Sequence, residues 1–267
     1  MKHYFKVAEF KCCVNCEVQS LNERLGIVVS SFPIIEEVET ENILTITKSS
    51  FNIQIKDRIE NFDIELTVRD LYQIFYIFIA LVVRQNNTSF LTHASVASKE
   101  DNGILIIGDY ASGKTTLANT FEKEGYEVNA ADRTVCSLED GKLYNLEGTR
   151  KVVSNNQTTF LDEKITSKKV QIKTILFLDG ISDNGDLKLT QLVDKTRIKK
   201  KLFYGMTNVF FAPLENVNEC MFRLVNEGFY QICKDVINAN LNFIAVRGDA
   251  NKIVQSLMNK NLGEING

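Results

Sequence analysis

The sequence predicts a mixed α/β protein with a phosphate-binding loop between a strand and a helix, and with a β-rich segment at its N-terminus. The stretch "GDYASGKTT" (108–116) matches the pattern G-x-x-x-x-G-K-[ST]. The preceding "NGILIIG" is typical of a short buried strand, and the following "KTTLANTFEKEG" is typical of an amphipathic helix that ends at Gly125. Strand, loop and helix therefore follow one another in the order that a nucleotide-binding loop requires.

The loop residues suggest how an anion would be held. Backbone N–H groups at the start of a helix point toward a phosphate, and the helix dipole adds partial positive charge there. Gly113 lets the backbone approach the ligand, Lys114 is placed to reach the β- and γ-phosphates, and the Thr115 hydroxyl is a candidate Mg²⁺ ligand. The predicted nucleotide-binding residues are Gly108, Asp109, Tyr110, Ala111, Ser112, Gly113, Lys114, Thr115 and Thr116.

The N-terminal part is predicted to be a β meander followed by a helix. "NILTI", "FNIQI" and "FDIELTV" alternate apolar and polar residues, and in the last of these Phe62, Ile64, Leu66 and Val68 fall on one face. Polar turns between them favour antiparallel pairing. The apolar run from Leu71 to Val83 is too short to cross a bilayer as a helix and predicts a core helix. We expect an N-terminal region over 1–87 and a nucleotide-binding domain over 88–267 that share an interface.

Further strands are predicted beyond the loop helix. "YEVNA", "TVCSL", "VQIKTILFLDG" and "NFIAV" have strand character, and the last third of the chain alternates helical stretches with strand. "LEDGKLY" predicts a hairpin, because Asp140-Gly141 suits a type I′ turn.

Composition describes an ordinary soluble protein. The chain has 267 residues, 44% of them hydrophobic and 24% charged, and a formal net charge of -3. This balance gives no reason to expect nucleic acid or an anionic membrane as a partner. The basic run "RIKKK" (197–201) is interpreted as a solvated helix face. No signal peptide is evident, and six cysteines beside a nucleotide loop predict free thiols in a reducing cytoplasm.

Three cysteines near the N-terminus raise the question of a zinc site. Cys13 and Cys16 have C-x-x-C spacing and Cys12 adjoins them, but no second such pair follows and the chain has only two histidines. We expect buried thiols on a strand instead.

Two acids are candidates for the metal. Asp132 follows the strand after the loop helix, and Asp179 lies at the end of the strand "TILFLD". Either carboxylate could hold Mg²⁺. A switch GTPase is disfavoured, because no [NT]-K-x-D run follows the loop.

The run from Phe90 to Val135 resembles the core of the HPr kinase/phosphorylase family and its smaller relatives, which phosphorylate serine on proteins or peptides. His93-Ala94-Ser95 is similar to the family's His-Ala-Ser segment, the phosphate loop to its loop, and Asp132 to the second member of its Asp-Asp pair. Ala131 stands where the family has the first aspartate. The strong similarity covers under a fifth of the chain, although the order of elements agrees over most of it.

The resemblance implies a phosphoenolpyruvate-carboxykinase-like nucleotide fold, with ATP and Mg²⁺ as ligands. It implies kinase chemistry in which His93, Asp132 and Lys114 are catalytic and in which Thr115 and Asp132 bind the metal. A protein or peptide is the implied acceptor, and a homo-oligomer is compatible with it. Two alternatives stay open: a degenerate nucleotide-binding regulatory module, suggested by Ala131, and a small-molecule kinase.

Overall fold

The structure is a computed structural model that describes residues 1–149, 151–154, 157–160, 168–182, 186–207 and 228–259. These residues divide into two compact units. The first contains residues 1–91, 151–154 and 157–160, and the second contains residues 92–149, 168–182, 186–207 and 228–259. Sheets and six helices within the described ranges make the protein a mixed α/β protein, as predicted.

The elements, in chain order, are β1 (Lys2–Val7), β2 (Phe10–Cys16), α1 (Gln19–Val29), β3 (Asn42–Ile46), β4 (Phe51–Ile55), β5 (Arg58–Phe62), α2 (Val68–Val83), β6 (Ser89–Thr92), β7 (Ala94–Lys99), β8 (Asn102–Gly108), α3 (Lys114–Lys123), β9 (Glu127–Ala130), β10 (Arg133–Glu139), β11 (Lys142–Thr149), β12 (Lys151–Ser154), β13 (Gln157–Phe160), β14 (Val170–Ile181), β15 (Lys188–Gln191), α4 (Lys195–Thr207), α5 (Phe229–Asn238), β16 (Asn242–Gly248) and α6 (Ala250–Asn259).

The first unit contains a five-stranded sheet in the order β1-β2-β3-β4-β5. The β3–β4 and β4–β5 pairs are antiparallel, as predicted for the meander, whereas β2 and β3, for which no pairing was predicted, run parallel. The reason is that α1 lies between β2 and β3 in the chain. A helical crossover carries the chain back to the end of the sheet where the first strand began. The next strand therefore runs in the same direction.

The strand predicted over "FDIELTV" is wrong. The third strand of the meander is β5, which starts directly after the two turn residues Lys56 and Asp57 and ends at Phe62. Farther on, Thr67 caps α2: its side chain accepts from the Asp70 amide, and the Asp70 carboxylate accepts from the Thr67 amide at 2.9 Å. This capping box begins a helix where alternation alone suggested a strand.

The predicted core helix is confirmed. α2 spans Val68–Val83, and its residues from Ile74 to Ala80 are all buried. No helix among the described residues has the length and apolar content needed to span a bilayer. The three N-terminal cysteines are buried on β2, as expected, and the described ranges hold no cluster of three or more His, Cys, Asp or Glu side chains that could bind a metal.

The second unit is built on β14. This strand runs parallel to β8 on one side and to β16 on the other, while β7 and β9 continue the sheet beyond β8 in antiparallel pairs. β10 and β11 form the predicted hairpin, with positive φ at Asp140 and Gly141. α3 and α6 cover one face, where Ile106 belongs to the core, and α4 packs on the other, where Gly205 meets Ile107. The predicted phosphate loop lies at the end of β8.

Candidate functional site

The predicted phosphate loop connects β8 to α3 in the predicted order. Gly113 is the N-cap of α3 and has φ +96°, which favours glycine. A Cβ there would lie 2.5 Å from Cγ1 of Ile181, and a Cβ on Gly108 would lie 2.7 Å from the carbonyl oxygen of Leu178. Both glycines are therefore required by the close approach of β14 to the loop.

The loop is held against β14 and leaves the start of α3 open. The Ile181 amide donates to the Ser112 carbonyl at 3.1 Å, and the Ser112 amide donates to the Asp109 carbonyl at 3.2 Å. The Leu117 amide donates to Gly113 at 2.9 Å, whereas the first-turn amides of residues 114–116 lie too early in α3 for an intrahelical acceptor. Such a helix start attracts anions.

Lys114 is folded back onto this loop. Its ammonium donates to the carbonyls of Gly108 at 3.0 Å and Asp109 at 2.8 Å, and the side chain is buried. Burial lowers the pKa of Lys114 to about 8, against the opposing charges of Asp132 and Asp109. The ammonium is thus removed from water, and its two described hydrogen bonds are to backbone carbonyls.

Thr115 contacts the segment that carries Asp132. Its hydroxyl donates to the Ala131 carbonyl at 3.0 Å, and the Ser95 hydroxyl donates to the same oxygen at 3.2 Å. Thr115 is exposed, and its hydroxyl proton is engaged by the Ala131 carbonyl. The structure therefore links Thr115 to Asp132 through a single residue.

Asp132 has partners on both sides. Its Oδ1 lies 3.4 Å from Nε2 of His93, and its Oδ2 accepts from Nη1 of Arg133 at 2.5 Å. The side chains of His93 and Arg133 are 8% and 6% exposed, and that of Asp132 is 14% exposed. The carboxylate is thus the most accessible group of the three.

Burial favours the neutral form of the His93 imidazole. Burial lowers its pKa below the ordinary value, Asp132 opposes this shift, and the charges of Lys114 and Arg133 add to it. Nδ1 is buried and has no hydrogen-bond partner among the described residues. A hydroxyl approaching the site reaches neither nitrogen of this ring as readily as it reaches Asp132.

The remaining loop residues lie at the surface. Asp109, Tyr110, Ala111 and Thr116 are exposed, and Ser112 is half-buried. The Tyr110 ring centre lies 5.2 Å from that of His93. Tyr110 of the loop thus lies next to the ring of His93.

Asp179, the alternative metal ligand, has a different neighbour. It lies on β14 and its Oδ1 accepts from Nζ of Lys201 on α4 at 2.5 Å. The structure gathers Asp132, His93, Lys114 and Thr115 around the loop and pairs Asp179 with Lys201.

Sequence reasoning missed two basic residues. Arg133 follows Asp132 directly in "ADR", which was the only available signal that a cation would engage this acid. Lys201 belongs to the basic run and lies far from Asp179 in the chain, so nothing in the sequence joined them.

Comparison of the chain with protein-family models and with curated proteins found no match. Among solved structures, the chain is similar to the HPr(Ser) kinase/phosphatase from Coxiella burnetii. The sequence identity is 9%, the match covers 66% of this chain and 99% of that chain, and the TM-score is 0.36. At this TM-score the similarity carries no argument about the fold or the chemistry of this chain. Membership of the family remains a prediction.

Proposed function

We propose that the protein is an ATP-dependent kinase of the HPr-kinase type that transfers the γ-phosphate to a serine or threonine hydroxyl of a protein or peptide. One observation carries this proposal: the loop threonine and Asp132 meet at Ala131, whose carbonyl accepts the Thr115 hydroxyl at 3.0 Å. A metal ligand, an acid and a buried ammonium are thereby held around one helix N-terminus. A nucleotide-binding loop alone requires no such acid.

The residues fit a nucleotide polyphosphate. Lys114 is buried at the cost of a lowered pKa, and the amides at the start of α3 have no intrahelical acceptors, which supports an anionic ligand here. Lys114 exchanges its two loop carbonyls for phosphate oxygens when such a ligand is present. The loop glycines allow the backbone amides to make the same approach.

Thr115 and Asp132 are the residues that would hold Mg²⁺. The Thr115 hydroxyl donates its proton to the Ala131 carbonyl and keeps its lone pairs for a cation, and Asp132, the next residue, would provide a carboxylate. Bound Mg-ATP supplies the phosphoryl group and a divalent charge that neutralises its oxygens.

Asp132 is also the group that accepts the proton of the acceptor hydroxyl in this proposal, and in that step Thr115 and the phosphates hold Mg²⁺ without it. It is more exposed than His93, whose nitrogens face Asp132 and the interior. His93 acts as a positioning residue, because its Nε2 contacts the carboxylate. We place the reaction in the cytoplasm, since the five described cysteines are free thiols.

The experiment is single-turnover transfer from labelled ATP in the presence of Mg²⁺, with serine peptides, HPr and small alcohols as acceptors. Label on a serine or threonine is the expected result, and it must be lost in Lys114→Ala. Transfer to small molecules alone would replace the proposed acceptor with a small-molecule acceptor.

A degenerate nucleotide-binding module is the second candidate, and Arg133 favours it. Nη1 of Arg133 engages Oδ2 of Asp132 at 2.5 Å, and Ala131 supplies no second carboxylate. An acid neutralised by an arginine is a poor base, because the nearby cation favours its charged form. Mg-dependent nucleotide binding without transfer to any acceptor would support this candidate against the kinase.

A further inference from the structure

One face of α4 carries three basic residues and an exposed tyrosine. Arg197, Lys200, Lys201 and Tyr204 are spaced i, i+3, i+4 and i+7 and form what we call the α4 stripe. Arg197 and Lys200 are exposed, and Tyr204 is 54% exposed. The buried residues of α4 lie on its other side, at Ile198, Leu202, Gly205 and Met206. The stripe is therefore not used to pack the helix.

Few described carboxylates neutralise the α4 stripe. Lys201 pairs with Asp179, but Arg197 and Lys200 have neither an ion pair nor a hydrogen bond within the described residues. The Asp194 carboxylate caps the start of α4 by accepting from the Thr196 amide. A chain with net charge -3 thus concentrates unpaired positive charge here.

A second pair of lysines, outside the α4 stripe, lies at Tyr230 of α5. Nζ of Lys199 lies 3.5 Å from the Tyr230 ring centre and Nζ of Lys234 lies 4.9 Å from it. Tyr230 is 52% exposed, and its hydrogen bond with Lys199, with the nearby charges, lowers its pKa. Asp235, the acid nearest in sequence to Lys234, accepts from Gln231 at 2.8 Å. Lysines held over an aromatic ring keep their charge available to a partner.

The α4 stripe lies next to the candidate site. Lys201 is the stripe residue nearest to the phosphate loop, because it binds Asp179 on β14, and the amide of Ile181, two residues farther along β14, donates to Ser112 of the loop at 3.1 Å. On the same strand, Leu178 and Ile181 contact the loop glycines. A chain bound along the stripe would therefore reach the side of β14 that holds the loop.

We propose that the α4 stripe binds an acidic peptide segment of the phosphate acceptor, with Arg197 and Lys200 contacting its carboxylates. That the bound peptide is the acceptor rests on the proposed kinase function. A peptide fits better than nucleic acid or an anionic membrane, because three cations on one helix face match a narrow extended chain. A duplex or a bilayer would also meet the surrounding surface of a net acidic protein.

The binding experiment uses fluorescence anisotropy of a labelled peptide in which a serine is flanked by glutamates and aspartates. The reference peptide replaces these acids by glutamine and asparagine. The wild type is expected to prefer the acidic peptide, and Lys200→Glu to weaken it about threefold to tenfold, as for loss of an exposed ion pair plus repulsion. Raising the salt should weaken binding as well.

The matched control is Lys188→Glu, which makes the same charge change in the same unit, at an exposed lysine of β15 opposite Arg247. Its affinity should equal that of the wild type. Equal affinities for the two peptides, or equal losses in Lys200→Glu and Lys188→Glu, would overturn the proposal. Tighter binding of an oligonucleotide or of phosphatidylserine vesicles through Lys200 would overturn it too.

A second set of measurements separates peptide binding by the α4 stripe from the proposed kinase function. Binding is measured without nucleotide and again in Lys114→Ala, where we expect the peptide affinity to persist. Where transfer occurs, Lys200→Glu should raise KM for the acidic peptide by the same factor and leave kcat unchanged. Acid-dependent binding without any transfer would support the α4 stripe and contradict the kinase. Transfer with the same KM for both peptides would contradict the α4 stripe and support the kinase.

Discussion

Nε2 of His93 lies 3.4 Å from Oδ1 of Asp132, so a buried histidine is in contact with the more accessible carboxyl group of Asp132. Burial lowers the pKa of His93 while the carboxylate raises it, and burial is the larger effect. The balance therefore favours the neutral form of the imidazole beside Asp132. An imidazole in this state orients its neighbour and carries no positive charge.

The pKa of His93 can be measured by titrating the histidine ring signals by NMR, with the signals of His3 resolved separately. We expect the pKa of His93 to lie below the ordinary histidine value, because burial disfavours the charged ring. Asp132→Asn should lower the pKa of His93 further, because the carboxylate that stabilises the charged ring is removed. The signals of His3 serve as the internal control. A rise in the pKa of His93 in that variant would show that the two residues are not coupled as described.

The two candidate acids should respond differently to neutralisation. Asp132→Asn is expected to reduce single-turnover transfer by about 10²-fold or more, as for loss of a general base or metal ligand. Asp179→Asn removes the same charge from a residue whose described partner is Lys201, and transfer should stay within a few-fold of the wild type. The opposite ranking would make Asp179 the functional acid.

The strand, loop and helix around Gly113 could be predicted, because each signal is local: an apolar run, a glycine pattern and an amphipathic period. The placement of β5 could not, since a two-residue turn after Ile55 decided the register and the alternation in "FDIELTV" suggested a different strand. The contacts of Asp132 with His93 and of Asp179 with Lys201 join residues far apart in sequence. Side-chain pairs of this kind depend on tertiary packing, which no local pattern contains.

The lowered pKa of Lys114 gives nucleotide binding a pH dependence. A lysine is charged below its pKa, so the ammonium that contacts phosphate is present below about pH 8 and is lost above it. We expect affinity for ADP, measured by calorimetry, to fall as pH rises through this range. Bound phosphate raises the pKa of Lys114. The nucleotide complex should therefore keep the charged lysine to a higher pH than the free protein does. Lys114→Ala should bind weakly at every pH; a similar fall in that variant would assign the titration to another group.

Two glycines with positive φ provide a matched test of the loop. Gly113 has φ +96° and a Cβ would lie 2.5 Å from Cγ1 of Ile181, whereas Gly125 has φ +83° and no atom within 4 Å of a Cβ. Gly125→Ala should lower the free energy of unfolding by about 1 kcal/mol through backbone strain alone. Gly113→Ala should lower the free energy of unfolding by about 1–3 kcal/mol more, because the branched side chain of Ile181 cannot move away freely.

Nucleotide affinity should distinguish these variants as well. Gly113→Ala displaces the start of α3 and is expected to lose ADP binding in calorimetry, while Gly125→Ala, at the far end of that helix, keeps it. Equal losses of stability and of affinity in both variants would show that the contact between Gly113 and Ile181 does not shape the loop.

Ala131 separates the kinase from the degenerate module. Its side chain is 2% exposed, and its carbonyl accepts from Thr115 and Ser95. If catalysis was lost with a carboxylate here, Ala131→Asp should restore transfer, since one acid could then hold Mg²⁺ while the other accepts the proton. Two adjacent carboxylates also raise the pKa of one of them, which favours a base near neutral pH.

We expect no such gain. The wild type retains Lys114, Thr115, His93 and Asp132 together, and a second negative charge beside Asp132 repels the γ-phosphate. Burying a carboxylate at position 131 should also lower the melting temperature more than Ala131→Asn does, because the amide matches its shape and carries no charge. The deciding measurement is single-turnover transfer by the wild type and both variants under identical Mg-ATP. Rapid transfer by the wild type excludes the degenerate module, whereas transfer gained only in Ala131→Asp would establish it.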